Sequence, residues 1–246
     1  MIEFTVTEWA AWAPGLQTRE AWLAWAGAPA PPQGEDSPAL AEVPALQRRR
    51  IDRLGRMAIQ AAYWCDEAVA AGAPLVFASR HGDVQRSLEL LRQQAHGEPM
   101  SPTAFGLSVH NAIAALYTIV RGERGNYLAL AAGRASVETA LLEAAGLLAD
   151  GASEVRVVVY DATLPADYGP FADEPEASYA WCWRVRAAAA AGARLSLAWM
   201  PALDADAPAP ASTLPAGLAP LQFLLAAAQQ HEQTGDGIRW RWRRHD

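Results

Sequence analysis

The chain has 246 residues, of which 52% are apolar and 19% charged, so it has ample material for one large core, and disorder is excluded over most of its length. A formal net charge of −7 argues against a general nucleic-acid or membrane-surface binder. All 20 cations are arginine, so no P-loop lysine, Schiff-base lysine or lysine general base is available.

Cys65 and Cys182 belong to no CxxC or Cys/His cluster. They are expected to be free thiols buried as small apolar residues, with no metal site. The start Met1–Ile2–Glu3–Phe4 lacks the features of a signal peptide, and no apolar run reaches the roughly 18 residues of a membrane span. A reducing cytoplasm is the expected compartment. No cofactor is implied.

Residues 1–45 read as an N-terminal arm. Residues 2–7 alternate like a strand, and Trp9, Trp12, Trp22 and Trp25 anchor the arm to a core. The Pro/Gly-rich stretch 28–37 is a loop. The pattern predicts a long helix over 44–71, with Leu46, Ile51, Leu54, Met57, Ala58, Ala61 and Ala62 as its apolar stripe. Arg48, Arg49, Arg50, Arg53 and Arg56 load its first half, as a solvated face or as a docking patch for an acidic partner.

Three short apolar runs, 74–79, 127–132 and 154–160, read as buried strands separated by helical patterns at 84–91, 108–120 and 135–149. This alternation predicts an α/β fold with a mostly parallel sheet and helices on both faces. Residues 178–186 and 194–200 read as an antiparallel pair, 203–216 as a linker and 218–230 as a last helix. The IRWRWR run, 238–243, alternates strictly and reads as an edge strand whose arginines blunt the edge. The predicted division is an arm (1–45), a central domain (46–201) and a tail of linker, helix and edge strand (202–246).

GxGxxG, HExxH and GxSxG are absent. Ser79, His81 and Asp83 are close in sequence, but adjacent positions rarely give triad geometry.

Two stretches carry a resemblance. The first is 75–83, followed by Ser101, Pro102, Thr103, Ala104 and Phe105, then Ser108, Val109, His110 and Asn111. The second is 125–145, opening Gly125-Asn126-Tyr127-Leu128-Ala129-Leu130-Ala131-Ala132-Gly133-Arg134-Ala135-Ser136, with Val157 to Asp161 beyond it. In order and spacing they resemble the N-terminal half of a β-ketoacyl synthase over roughly residues 45–200. The nearest likeness is to short β-ketoacyl synthase-like N-terminal-domain proteins of aryl-polyene- and xanthomonadin-type pigment systems.

The resemblance implies a thiolase-like half-fold. It places Gly133 where a synthase carries its nucleophilic cysteine, in a vestigial turn of Ala132, Gly133, Arg134 and Ser136. The histidines and lysine of a synthase's C-terminal half have no counterpart here, so activity by the isolated chain is not expected. The implied role is that of a non-catalytic chain-length-factor partner of a full synthase. Phe105, Asn111, Ala112, Ala115, Tyr127 and Ala129 would line the dimer interface and acyl tunnel. Arg48, Arg49, Arg50 and Arg53 would dock an acyl carrier protein. The competing readings are a homodimer that binds an acyl chain or carrier protein, and a hydrolase or acyltransferase using Ser79/His81/Asp83 or Ser136.

Overall fold

A computed structural model of the chain describes residues 1–65, 72–202 and 212–245. Eight strands form one sheet: β1 (Ile2–Trp12), β2 (Leu75–Ala78), β3 (Tyr127–Leu130), β4 (Val155–Asp161), β5 (Tyr179–Ala187), β6 (Ala193–Pro201), β7 (Gln230–Gly235) and β8 (Ile238–His245). Their order is β3-β2-β4-β5-β1-β6-β8-β7. The three apolar runs read from the sequence are the parallel part, with β2 between β3 and β4. Every other pairing is antiparallel, so the sheet is mixed and not mostly parallel.

The N-terminal segment is not an arm. β1 lies inside the sheet, between β5 and β6, and separates the two strands expected to pair with each other. A register shift between Val6 and Glu8 turns the strand over. Before it, Phe4 and Val6 face one core; after it, Ala11 and Ala13 face that core while Ala10 and Trp12 face the other. The tail is not separate either, because β8 pairs with β6 in the same sheet. The edge beyond β8 is β7, so the arginine-bearing strand is interior.

Helices cover both faces, as expected. One core packs α1 (Arg19–Gly27), α7 (Ser136–Ala149) and α8 (Ala219–Leu225) against Val155, Val157, Val159, Trp181 and Trp183. The other packs α3 (Arg53–Trp64) and α6 (Ala112–Arg121) against Leu75, Phe77, Val158 and Tyr160. Trp12 and Trp22 are fully buried and Trp25 nearly so, which fits their anchoring role. Cys65 and Cys182 are buried free thiols.

The long helix expected over 44–71 is broken. A short α2 (Ala45–Arg48) ends there, and Asp52 starts α3 by accepting a hydrogen bond from the Gly55 N–H at 2.7 Å. Residues 66–71 lie outside the described residues, as does most of the expected linker. The next helices are α4 (Val84–Ala95), capped by Asp83, and α5 (Pro102–Ser108), capped by Ser101 with proline in its first turn. The helix expected over 108–120 begins only at Ala112, and the one over 218–230 stops at Leu225, where Gln230 starts β7.

Candidate functional site

β3 ends at Leu130 and α7 begins at Ser136, so residues 131–135 form a sharp strand-to-helix turn. Gly133 sits at its apex with φ 54°. The turn is locked by one hydroxyl: Ser136 Oγ accepts from the Ala132 N–H at 3.0 Å and donates to the Gly133 carbonyl at 2.8 Å. With both capacities spent in a buried position, Ser136 is a structural residue and not a free nucleophile. The β7–β8 hairpin reaches over the turn. A Cβ added at Gly133 would lie 2.8 Å from Asp236 Oδ2, and one at Gly235 would lie 3.3 Å from the Arg134 Cβ. Asp236 and Gly237 both have positive φ, the signature of a two-residue hairpin turn. The Asp236-Gly237 dipeptide is the sequence signal for this hairpin.

Beside the turn, Asp161 at the end of β4 is the hub of a second cluster. It accepts from Ser79 Oγ at 2.8 Å, from the Arg80 N–H at 3.1 Å and from the His81 N–H at 3.3 Å. Burial pushes its carboxyl above the usual range, against the pull of these hydrogen bonds. Ser79 Oγ also accepts from the Gly82 N–H at 2.8 Å, and His110 Nε2 meets the Ser79 carbonyl at 3.0 Å. Arg80 pairs with Asp173 at 2.8 Å and Glu174 at 3.0 Å.

Ser79, His81 and Asp83 are not brought together as a triad. Ser79 is bound to Asp161, and Asp83 instead caps α4, accepts from Arg86 Nε at 2.8 Å and faces Asp52. Burial, and then the neighbouring Asp52, push the Asp83 carboxyl up to about 6.

The surface next to the turn is apolar and open. β3 is the terminal strand of the sheet, so one side of its backbone has no strand partner among the described residues. Leu128 on β3 (40% exposed), Ile119 (67%) on α6, which packs on β3, and Phe105 (60%) and Val109 (46%) on and just after α5, which packs on α6, present large apolar side chains. Of the residues expected to line an interface, Phe105 and Asn111 are exposed, and Ala115, Tyr127 and Ala129 are half-buried. Ala112, the first residue of α6, is instead buried within this chain.

α6 is held in place by Arg156 on β4, which is 1% exposed in its side chain and donates to Tyr117 Oη at 2.9 Å and to Glu123 at 2.7 Å. Of the arginines expected to dock a carrier protein, Arg48 donates to the carbonyls of Ala39 and Leu40, and Arg53 to those of Gly34 and Asp36. Arg49 and Arg50 are exposed.

A mixed sheet between two helical layers, with a strand–turn–helix beside an open edge strand, defines the thiolase-like class of fold. The chain belongs to the family described as "Beta-ketoacyl synthase, N-terminal domain", whose sequence profile matches residues 22–243. Among solved structures it is similar to a chain in the complex of the ketosynthase ApeO with its chain length factor ApeC from Xenorhabdus doucetiae. That match has 27% identity and a TM-score of 0.84, covering 99% of this chain and 100% of the other. The ishigamide ketosynthase/chain length factor matches at 20% identity and a TM-score of 0.63, covering 84% of this chain and 69% of the other. A β-ketoacyl synthase from Burkholderia phymatum matches at 13% identity and 0.58, covering 82% and 65%. These last two show the fold alone. No curated protein matches the chain. No single helix among the described residues is long and apolar enough to cross a membrane.

Proposed function

We propose that the chain is a non-catalytic, chain-length-factor-like partner of a full β-ketoacyl carrier-protein synthase, working in the cytoplasm in aryl-polyene-type pigment synthesis. The observation that carries this reading is the turn at Gly133: its strand–turn–helix geometry is kept, and its apex has no side chain with which to form an acyl-enzyme. The open β3 edge and the apolar residues around it give the partner synthase its seat. Phe105, Ala115, Tyr127 and Ala129 meet the partner and shape the acyl tunnel. Arg49 and Arg50 remain to attract an acidic carrier protein, since Arg48 and Arg53 serve the chain's own backbone.

Co-expression with a cysteine-containing synthase tests this reading. A stable one-to-one complex is expected, with acyl transfer lost when the synthase cysteine is removed. Ile119→Asp should abolish the complex while leaving the isolated chain folded, because Ile119 is already exposed; Ala115→Asp should do the same by leaving a carboxylate unpaired at the interface. Turnover of acyl thioesters by the isolated chain, or a complex indifferent to both substitutions, would refute the proposal.

A further inference from the structure

The β7–β8 hairpin lies over the Gly133 turn, and one buried acid ties it to the helix that leaves the turn. Glu138 is in the first turn of α7 and is fully buried. Its Oε1 accepts from Gln233 Nε2 of β7 at 2.6 Å and from Trp242 Nε1 of β8 at 3.2 Å, while Oε2 is buried without a partner. A neutral carboxylic acid with its proton on Oε2 fits this arrangement. A carboxylate does not, because its charge would be buried beside no cation. Burial accordingly pushes the group up to about 8.

The elements packed on α7 are β4, β2, β1 and β5, and their charges are engaged elsewhere. β2 has no ionisable side chain. On β4, Arg156 turns to the other face and bonds Tyr117 and Glu123, and Asp161 is bound to Ser79. On β1, Glu3 and Glu8 pair with Arg194 and Arg19. On β5, Arg184 and Arg186 meet Glu154, and burial keeps Tyr179 neutral. Arg134, just ahead of α7, pairs with Glu174. On the hairpin, Arg239, Arg241 and Arg243 alternate with the buried Trp240 and Trp242 and point to the other face, where Glu232 pairs with Arg241. Arg244 donates to the Leu224 carbonyl, His245 meets Ser196, and burial holds His231 below the usual histidine range. Asp236 sits at the tip, over Gly133.

β7 is the part of the hairpin that can move. It is a terminal strand, paired in the sheet with β8 alone and polar on both faces, whereas β8 is anchored by the fully buried Trp242. Besides Gln233, it is held on this side by His231, which stacks on Phe223 of α8. We propose that Glu138 is a proton latch: protonated, it holds β7 down over the Gly133 turn through Gln233, and on losing the Oε2 proton to water it lets β7 lift and opens that turn to solvent. The latch does not depend on the role proposed for the chain above. With β7 down the acid keeps its proton to about pH 8; with β7 lifted and water at the group it ionises near its usual 4.5. The opening equilibrium therefore rises about tenfold per pH unit between these values and levels above the higher one.

Hydrogen–deuterium exchange of the full chain from about pH 6 to 9, corrected for the intrinsic pH dependence of amide exchange, tests this. Protection of the β7 amides should fall about tenfold per pH unit, level off near pH 8, and stay below that of the β4 amides throughout. Glu138→Gln should keep β7 protected with no dependence on pH. Gln233→Ala, at a half-buried position on the terminal strand, should lower β7 protection about tenfold at the acid end of the range. Protection of β7 that is flat with pH in the wild type, a pH dependence that persists in Glu138→Gln, or unaltered protection in Gln233→Ala would overturn the proposal. Equal protection of β7 and β4 would also overturn it, because Glu138 would then ionise only when the whole chain unfolds.

Discussion

Glutamine in place of Glu138 should remove a steep pH dependence of stability. Glu138 is in the first turn of α7, fully buried, with Oε1 accepting from Gln233 Nε2 at 2.6 Å and Trp242 Nε1 at 3.2 Å, and with no partner for Oε2. Burial without a cation pushes its carboxyl up to about 8, from a usual 4.5. The folded protein therefore holds a proton that the unfolded chain releases above pH 4.5. The stabilisation is fully present below the unfolded value and is lost as pH rises towards 8. Between these limits the loss is about 1.4 kcal/mol per pH unit, or roughly 3 kcal/mol from about pH 5.5 to 7.5. Glu138→Gln keeps the acceptor for Gln233 and Trp242 and never ionises. Urea unfolding of both proteins across this range should show the variant gaining on the wild type at that slope, and ending the more stable by a few kcal/mol near pH 8. A difference that stays flat with pH would mean that Glu138 is already ionised in the fold, and would refute the argument.

Glu123→Gln should cost about 2 kcal/mol in urea unfolding, because it removes a charged acceptor 2.7 Å from the buried Arg156 guanidinium. It should also weaken partner binding by loosening the end of α6. Ser79→Ala should lower stability by about 1–3 kcal/mol, since it strips a donor from buried Asp161 and an acceptor from the Gly82 N–H. Gly133→Ala should cost about 1–2 kcal/mol through its φ of 54° and the 2.8 Å approach to Asp236. Combining it with Asp236→Gly should return only the part due to the close approach, read as a partial recovery of the thermal midpoint.

The parallel half of the sheet was legible because each of its strands is a short, continuous apolar run, covered on both faces in β2 and β4. Val76 and Val158 read the same way in sequence and in structure, fully buried. β1 was legible only over residues 2–7, because the register shift after Val6 breaks the period of two: its apolar residues change face midway, and the second half mimics an irregular arm. β7 is polar on both faces, Gln230 to Gly235, and carries no hydrophobic pattern to find. The Gly133 turn came from a resemblance and not from periodicity. Asp161, the hub of the neighbouring cluster, could not be found by spacing, since its partners lie about 80 positions earlier in the chain.

Under the proposed function, in which Gly133 stands where a synthase carries its nucleophile, glycine is also the residue that suits the turn. A residue with a Cβ held at φ 54° carries a backbone penalty of about 1–2 kcal/mol, which an enzyme tolerates where chemistry requires it. With glycine there, Ser136 holds the shape of the turn and no Cβ is strained at φ 54°. The space a Cβ at Gly133 would enter is bounded by the Asp236 carboxylate. A carboxylate at that spot would raise the pKa of any thiol reintroduced beside it and oppose thiolate formation. Under the proposed function, Gly133→Cys alone should therefore form no acyl-enzyme with an acyl thioester, and Gly133→Cys with Asp236→Gly is the variant in which labelling of the turn is expected.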